Sequence, residues 1–466
     1  MVTPTTLGEL RAAGLPERTV KEELRTNLIA RLAAGVPLFS DIVGYDETVV
    51  PALERALLAG HDIILLGERG QAKSRLIRRL VDLLDDQVPV IEGCEVNDHP
   101  FHPICARCRS VVAERGDETP VAWIDKDDRF AEKLATPDAS VADLIGDVDP
   151  IRVAEGRYLS DALTIHYGLV PRTNRGIFAI NELPDLPERI QVALLNILEE
   201  RDVQVRGYKI RLPLDLLLIA SANPEDYTHR GRIITPLKDR FGSEVRTHYP
   251  TEIEHEIAIM EQEASPPPVG RAVRVPRYLI EVLAELTAQL RADESVSRRS
   301  GVSVRFSIGN LESIRASALR RALRSSESEA VARMIDVWSV LPSSIGRIEF
   351  DTLDEGREPE IVARALRGAL LEVWHRRLSG HDFSSLVSLF DDGRTVEITD
   401  LTSAHDLLTQ FGSVEATGAG AVAARLGVGD DAPGEIAGAL EFALEGLHLT
   451  RRLNKLQVGP AAVFGI

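Results

Sequence analysis

The sequence is poor in cysteine, in long apolar runs and in positive charge. Three cysteines among 466 residues cannot form a disulfide framework, and their odd number favours a reducing compartment. No apolar run approaches the roughly 20 residues that span a bilayer, and residues 1–18 lack the apolar stretch of a secretory signal. We therefore expect a cytoplasmic protein with no membrane segment.

Positive charge is scarce relative to negative charge. The chain has 54 lysines and arginines against 72 aspartates and glutamates, which gives a formal net charge of −18. Such an acidic surface repels nucleic-acid phosphate and anionic lipid, so neither is the expected partner. The 44% of apolar and 27% of charged residues are typical of a globular protein. At about 150 residues per domain, the length allows roughly two to four domains.

Three short apolar runs indicate buried parallel strands: residues 61–67, 176–180 and 214–220. The first run is followed by helical periodicity in residues 75–85. Strands that alternate with helices predict an α/β fold, in which helices cover both faces of a parallel sheet. In such folds, ligands bind at the carboxyl ends of the strands.

The chain is predicted to have four parts. A helical N-terminal arm precedes the α/β core, and a small helical domain and a mostly helical C-terminal region follow it. The predicted bounds are 1–38 for the arm, 39–250 for the core, 251–347 for the helical domain and 348–466 for the C-terminal region. The sequence assigns no role to the last part.

Residues 67–74 have the pattern of a phosphate-binding loop between an apolar strand and an amphipathic helix. Backbone N–H groups of such a loop surround the β-phosphate of a nucleotide, and the helix N-terminus faces the anion. Lys73 would reach the β- and γ-phosphates, and the Ser74 hydroxyl would bind Mg²⁺. Ala72 stands where glycine is usual, and its methyl group suits the loop if its φ is negative. The predicted nucleotide-binding residues here are Gly67, Glu68, Arg69, Gly70, Gln71, Ala72, Lys73 and Ser74.

A second polar strand end is predicted at Asn181 and Glu182, directly after the apolar run 176–180. Nucleotide hydrolysis requires a group that activates the attacking water, and Glu182 is the candidate general base. Asn181 stands where an aspartate is expected. Its amide oxygen can accept a hydrogen bond from a Mg²⁺-bound water but brings no charge. The predicted ligands are therefore ATP and Mg²⁺, with Asn181 contacting the metal through water.

Two further residues complete the predicted catalytic set. Asn223 follows the third apolar run, where its amide can orient the attacking water and sense the γ-phosphate. The alternative is a simple Asn-Pro turn. Arg240 ends a helix-like segment and can stabilise transition-state charge on the nucleotide of a neighbouring subunit. The alternative there is a surface ion pair.

In this order, the motifs resemble those of the AAA+ ATPases over roughly residues 40–330. The closest resemblance is to the magnesium chelatase motor subunits and MoxR-type ATPases. By this resemblance, residues 67–74 are Walker A, Asn181-Glu182 is Walker B, Asn223 is sensor 1 and Arg240 is the arginine finger.

The same resemblance covers the elements around the site. Residues 202–213 resemble the β-hairpin that this clade inserts before sensor 1, and residues 251–347 resemble its helical lid. Arg305 would then be the sensor 2 residue. Arg298 and Arg299 are the alternatives.

The resemblance implies an ATPase that converts ATP and water to ADP and phosphate in a homo-oligomeric ring, usually a hexamer. It also implies a von Willebrand A-domain protein as partner. We therefore predict an AAA+ motor that remodels or activates a protein partner. The alternatives are a subunit of a true metal chelatase, a slowly hydrolysing nucleotide-dependent scaffold, and a transcriptional activator. The last is disfavoured by the net charge and by the lack of a recognisable DNA-binding module.

All three cysteines lie in an insertion predicted at residues 92–110. The C-x2-C pair Cys105 and Cys108, with Cys94 and His102 upstream, is a candidate tetrahedral Zn²⁺ site. A redox-sensitive thiol pair near the nucleotide and simply packed thiols are the alternatives.

Overall fold

The structure is a computed structural model. It describes residues 3–148, 165–200, 203–205, 208–210, 212–224, 232–266, 272–297, 301–339, 344–350, 356–391, 393–429, 432–458 and 461–465. The chain divides into two compact units, Met1–His248 and Tyr249–Ile466. Among the helices in these ranges, none is long and apolar enough to cross a membrane.

The first unit is built from alternating strands and helices. Its strands are β1 (Ile63–Leu66), β2 (Gln87–Ile91), β3 (Val121–Asp125), β4 (Phe130–Leu134), β5 (Gly146–Val148), β6 (Ile165–Tyr167), β7 (Gly176–Asn181), β8 (Val203–Val205), β9 (Tyr208–Ile210), β10 (Leu216–Ala222) and β11 (Ser243–Arg246). Its helices are α1 (Leu7–Ala13), α2 (Val20–Ala33), α3 (Val49–Ala59), α4 (Lys73–Arg79), α5 (Ala106–Arg115), α6 (Val141–Leu144), α7 (Leu169–Arg172), α8 (Glu188–Glu200) and α9 (Thr235–Arg240).

Five strands of this unit form a parallel sheet in the order β11-β1-β10-β7-β4. The three predicted apolar runs are its central strands, and β10 is buried along its whole length. Helices α2, α3 and α4 cover one face, and α8 and α9 cover the other, each through its own apolar cluster. The predicted α/β fold with a parallel sheet is confirmed.

Shorter antiparallel pairs lie outside this sheet: β2 with β3, β5 with β6, and β8 with β9. The last pair falls within the segment 202–213. Gly207 and residues 149–164 lie outside the described residues.

The N-terminal helices, which we expected to form an arm, are part of the first compact unit. Leu24 and Leu28 of α2 are buried in the apolar cluster beneath the sheet. Glu23 of the same helix binds both terminal nitrogens of Arg129, at 2.8 and 2.6 Å, and both side chains are buried. A paired, buried charge of this kind fixes α2 to the segment that leads into β4.

The second unit is mostly helical. Its helices are α10 (Ile253–Glu263), α11 (Arg277–Ala292), α12 (Val304–Arg324), α13 (Met334–Trp338), α14 (Glu358–Leu378), α15 (Ser384–Ser388), α16 (Ala404–Gln410), α17 (Ala419–Leu426) and α18 (Pro433–Leu449). Its strands are β12 (Val273–Arg274), β13 (Ala330–Val331), β14 (Val396–Ile398), β15 (Asn454–Val458) and β16 (Ala461–Gly465).

One apolar cluster runs through this unit from Ile257 to Phe464. The predicted helical domain and the C-terminal region therefore share a core. The C-terminal region also contains an antiparallel sheet of order β14-β16-β15 that the sequence analysis missed.

Candidate functional site

The predicted phosphate-binding loop joins β1 to α4 at the carboxyl edge of the parallel sheet. A Cβ at Gly67 would overlap the hydroxyl of Thr247 and the amide oxygen of Gln71, so the position requires glycine. Thr247 donates to Gln71 Oε1 at 2.7 Å, and the same oxygen accepts from the backbone N–H of Glu68 at 3.0 Å. Thr247, which follows β11, thus stabilises the conformation of the loop.

Tyr45 fixes the other side of the loop. Its hydroxyl lies 3.0 Å from the carbonyl oxygen of Gln71 and 2.8 Å from that of His248. Burial raises the pKa of Tyr45, so the hydroxyl remains a donor. The loop is therefore supported on both sides before any ligand binds.

Ala72 corrects the sequence analysis. We expected a negative φ for this residue, but it lies in the left-handed region, with φ 55° and ψ 14°, immediately before α4. The left-handed conformation costs an ordinary residue roughly 1–2 kcal/mol. The loop adopts the glycine-type conformation in spite of its alanine.

Lys73, the first residue of α4, points back across the loop. Its ammonium donates to the carbonyl oxygens of Gly67 and Glu68, the latter at 2.7 Å. It also donates to Oδ1 of Asn223 at 2.8 Å. Asn223 is buried and follows β10, which lies next to β1 in the sheet. The structure thus brings together the predicted lysine and the predicted amide.

Asn181 is the last residue of β7, the next strand along the sheet. Its Oδ1 accepts from the hydroxyl of Ser221 at 3.0 Å and lies 3.5 Å from the hydroxyl of Ser74. Its Nδ2 donates to the carboxylate of Glu132 on the neighbouring strand β4. A carboxylate therefore lies directly beside the amide that replaces the expected aspartate.

Glu132 also binds the guanidinium of Arg78 on α4, with Nε 2.7 Å from Oε2. This hydrogen bond, with the charge of the carboxylate, raises the pKa of Arg78. The sequence analysis missed Glu132 because β4 is only partly buried and carries no continuous apolar run. The segment, Phe-Ala-Glu-Lys-Leu, also lacks the strict apolar–polar alternation of a half-buried strand, so no sequence signal marked Glu132.

Glu182 follows β7 and is half-buried. Its backbone has φ 56° and ψ 46°, a left-handed conformation that is uncommon for glutamate, and its N–H lies 3.3 Å from the hydroxyl of Ser221. Such backbone strain clusters at functional sites. The turn places Glu182 immediately after Asn181 at the edge of the sheet.

A cavity of about 360 Å³ opens beside the loop. Its lining includes the basic side chains of Lys238 and Arg246, together with Leu66 at the end of β1 and Pro224 shortly after β10. The full lining is Leu66, Gly67, Glu68, Gln71, Pro224, Lys238, Arg246 and Thr247. Basic groups and a glycine loop around one cavity suit an anionic ligand.

The two predicted arginines lie in different units. Arg240 is exposed at the end of α9 in the first unit. Arg305 is exposed near the start of α12 in the second unit. The alternatives Arg298 and Arg299 lie outside the described residues.

The cysteines form a cluster with an aspartate rather than with the predicted histidine. Four candidate ligand atoms lie within 4.8 Å of one another, one each from Cys94, Asp98, Cys105 and Cys108. His102 instead directs Nε2 at the carboxylate of Glu17, 2.7 Å away, and remains exposed. The correction follows from geometry, because Asp98 is fully buried beside the thiols whereas His102 faces solvent.

Comparison with known proteins supports a relation to AAA+ ATPases. The family profile described as the sigma-54 interaction domain matches residues 153–238. Among curated proteins, the magnesium-chelatase subunit ChlI of Guillardia theta is 28% identical over 236 residues, covering 48% of this chain and 62% of that protein. The chloroplastic subunit ChlI-1 of Arabidopsis thaliana is 29% identical over 238 residues, covering 48% of this chain and 51% of that protein. The match thus spans one half to under two thirds of the length of these relatives.

Solved structures that match this chain include a complex of the magnesium chelatase subunits BchI and BchD. It has a TM-score of 0.36 and 21% identity, and it covers 71% of this chain and 98% of that chain. NtrX from Brucella abortus has a TM-score of 0.40 and 14% identity, and it covers 83% of this chain and 72% of that one. At these scores, the relation to AAA+ ATPases rests on the sequence relatives and on the motifs.

Proposed function

Because the chain is an AAA+ protein related to the I subunits of magnesium chelatase, we propose that it binds and hydrolyses Mg²⁺·ATP and uses the energy to remodel or activate a protein partner. The observation that carries this proposal is the meeting of four polar side chains at the carboxyl edge of the sheet, from α4, β4, β7 and the residue that follows β10. There Lys73 and Asn223 hydrogen bond, and Asn181 lies beside Glu132.

The phosphates of ATP would bind to the N–H groups of the loop and the N-terminus of α4. Lys73 would exchange its contacts with the carbonyl oxygens of Gly67 and Glu68 for contacts with the β- and γ-phosphates. Asn223 would then be released from Lys73 and could orient water near the γ-phosphate. The 2.8 Å hydrogen bond between Lys73 and Asn223 supports this proposal, because it shows that the two side chains already meet at one point.

Hydroxyl, amide and carboxylate oxygens of the site suit Mg²⁺, which prefers oxygen ligands and keeps several waters. Ser74 would be the direct ligand, and Asn181 and Glu132 would accept hydrogen bonds from metal-bound waters. The bound metal neutralises charge that develops on the phosphates. Glu132 would supply the negative charge that Asn181 lacks.

Glu182 would act as general base on the attacking water. Glu182 directly follows Asn181, so it comes from the same strand end as one of the proposed metal-binding residues. The test is the Glu182→Gln variant, which removes the base but keeps the size of the side chain. It should bind ATP with unchanged affinity and lose about 100-fold or more in turnover. Unchanged turnover would remove Glu182 from the mechanism.

The exposed position of Arg240 and the resemblance to ring-forming relatives support a proposal for the assembly. We propose a homo-oligomeric ring, by the family pattern a hexamer, in which Arg240 of one subunit contacts the ATP of the next. By the same resemblance, Arg305 is the proposed sensor 2 residue. A von Willebrand A-domain protein is the proposed partner, by resemblance to the chelatase and MoxR clade.

A slowly hydrolysing scaffold is the second candidate, and Asn181 favours it. An uncharged residue at this position weakens the hold on Mg²⁺ unless Glu132 compensates. ATP binding without turnover, in the presence of the partner, would decide for the scaffold.

A further inference from the structure

We propose that Cys94, Asp98, Cys105 and Cys108 form a structural Zn²⁺ site that is separate from the nucleotide site. Their ligand atoms lie within 4.8 Å of one another, and the cysteines Cys105 and Cys108 are fully or almost fully buried. With Zn–S bonds of about 2.3 Å, the sulfurs of a tetrahedral site lie about 3.8 Å apart. A small contraction of the cluster would therefore produce a zinc site with three sulfur ligands and one oxygen ligand.

Asp98 is the independent observation that points to a cation. Its side chain is fully buried, with Oδ2 accepting from the backbone N–H of Cys105 at 3.0 Å. The other carboxylate oxygen, Oδ1, is buried without a hydrogen-bond partner. An unpaired oxygen of a buried carboxylate is costly unless a cation or a donor satisfies it. A metal ion among the thiols would satisfy it.

Backbone N–H groups around the cluster donate hydrogen bonds to two of its sulfurs. The N–H of Asp98 donates to Sγ of Cys94, and the N–H of Cys108 donates to Sγ of Cys105, each at 3.3 Å. Cys105 is also the N-cap of α5, and Cys108 lies in its first turn, where the helix dipole stabilises negative charge. The Arg107 guanidinium lies 3.8 Å from Sγ of Cys108. These contacts are the outer-shell hydrogen bonds that zinc-bound thiolates require.

The ligand set matches zinc better than magnesium or calcium. Soft thiolates select zinc and similar transition metals, whereas Mg²⁺ and Ca²⁺ prefer sites made of oxygen ligands alone. Four protein ligands would leave no open position, which is typical of structural rather than catalytic zinc. Binding would release protons from any protonated thiols, so affinity should fall as the pH falls.

The site would fix the cysteine insertion to the segment that leads into β7. Asn97, between the ligands, donates from Nδ2 to the carbonyl oxygen of Arg172 at 2.9 Å. Asn174 donates from Nδ2 to the carbonyl oxygen of Val96, also at 2.9 Å. Residues 172–174 lie two positions before β7, the strand that ends at Asn181. The metal would thus stabilise the start of a strand that carries the proposed catalytic edge.

The test is the metal content of the full-length protein, purified without chelators. We expect about one zinc per chain in the wild type, and below about 0.2 in Cys105→Ala and Cys108→Ala. His102→Ala is the matched control and should keep its zinc, because His102 binds Glu17 instead. Lys73→Ala should also keep its zinc, so the zinc content tests the metal site independently of ATP hydrolysis.

Two measurements on the wild type keep the test decisive if a cysteine variant does not fold. Titration with a mercurial reagent should release one zinc as three thiols react. Replacement of zinc by Co²⁺ should give thiolate-to-metal charge-transfer bands and the intense ligand-field absorption of a tetrahedral site. Folded wild type with a zinc content near zero and three freely reactive thiols would overturn the proposal. So would a Cys105–Cys108 disulfide in the purified protein, or zinc that both cysteine variants retain.

Discussion

The side-chain amide of Asn181 donates a hydrogen bond to the carboxylate of Glu132 on the adjacent strand. Negative charge therefore lies one side chain away from the position where Walker B motifs carry an aspartate. If the hydrolytic site uses this charge, Glu132 and Asn181 act as one unit. Exchanging the carboxylate and the amide between the two positions should then preserve the negative charge of the site.

Glu132→Gln should raise the Mg²⁺ concentration for half-maximal ATPase activity by about 5- to 30-fold. The estimate assumes that a half-buried charge acting through water contributes about 1–2 kcal/mol. The double variant Glu132→Gln/Asn181→Asp restores the charge at the other position and should recover most of the loss. Glu114→Gln, at an exposed position of α5, is the control. An unchanged Mg²⁺ titration in Glu132→Gln would show that this carboxylate does not act on the metal.

Ala72→Gly should stabilise the first unit. Glycine adopts the observed left-handed conformation without the penalty of alanine, and its greater freedom in the unfolded chain removes part of the gain. We expect the free energy of unfolding, from urea titration, to rise by about 0.5–1 kcal/mol. Ala113→Gly, in the exposed part of α5, is the matched control and should lower it by about 1 kcal/mol. A loss of stability in Ala72→Gly would mean that the loop does not hold the left-handed conformation.

Glu23→Gln should destabilise the first unit strongly. It would leave the guanidinium of Arg129, only 1% exposed, buried without its counter-charge. Removing one partner of such a pair costs about 3–5 kcal/mol. The control is Asp117→Asn, whose partner Arg11 is 63% exposed, and it should change the free energy of unfolding by less than about 1 kcal/mol. Equal effects of the two substitutions on thermal unfolding would contradict the burial of the Glu23–Arg129 pair.

Arg240→Ala should abolish hydrolysis but be rescued in mixed rings. Each Arg240→Ala subunit retains Glu182, and each Glu182→Gln subunit retains Arg240. In a random equal mixture, about a quarter of the interfaces would therefore be complete. Phosphate release should recover in proportion. A mixture of Glu182→Gln with Lys73→Ala should not recover, because both residues act on the nucleotide of their own subunit. Failure of the first mixture, in rings shown to contain both chains, would place Arg240 outside the site.

The nucleotide loop and the central strands could be predicted because their signals are local. Residues 67–74 place glycines and a lysine at fixed spacing, and β1, β7 and β10 are continuous apolar runs because both faces of the sheet are covered. The relation to the chelatase I subunits, predicted from the same motifs, is confirmed.

The features that sequence reasoning missed depend on contacts between distant segments. Glu132 reaches Asn181 through strand pairing across 49 positions of the chain. Asp98 and His102 both lie between Cys94 and Cys105 in the sequence, and only the fold of the insertion decides between them. The prediction of a negative φ for Ala72 was wrong. Contacts among Gln71, Thr247 and Tyr45 hold the loop in shape and override the preference of alanine for negative φ.

The most direct test of the central claim is steady-state phosphate release from Mg²⁺·ATP by the wild type and by Lys73→Ala. Lys73 lies where it can neutralise the β- and γ-phosphates, so its removal should lower the rate by about 100-fold or more. Lys126→Ala, which removes a surface lysine paired with Asp86, should match the wild type. Equal rates in Lys73→Ala and the wild type would contradict hydrolysis at this loop.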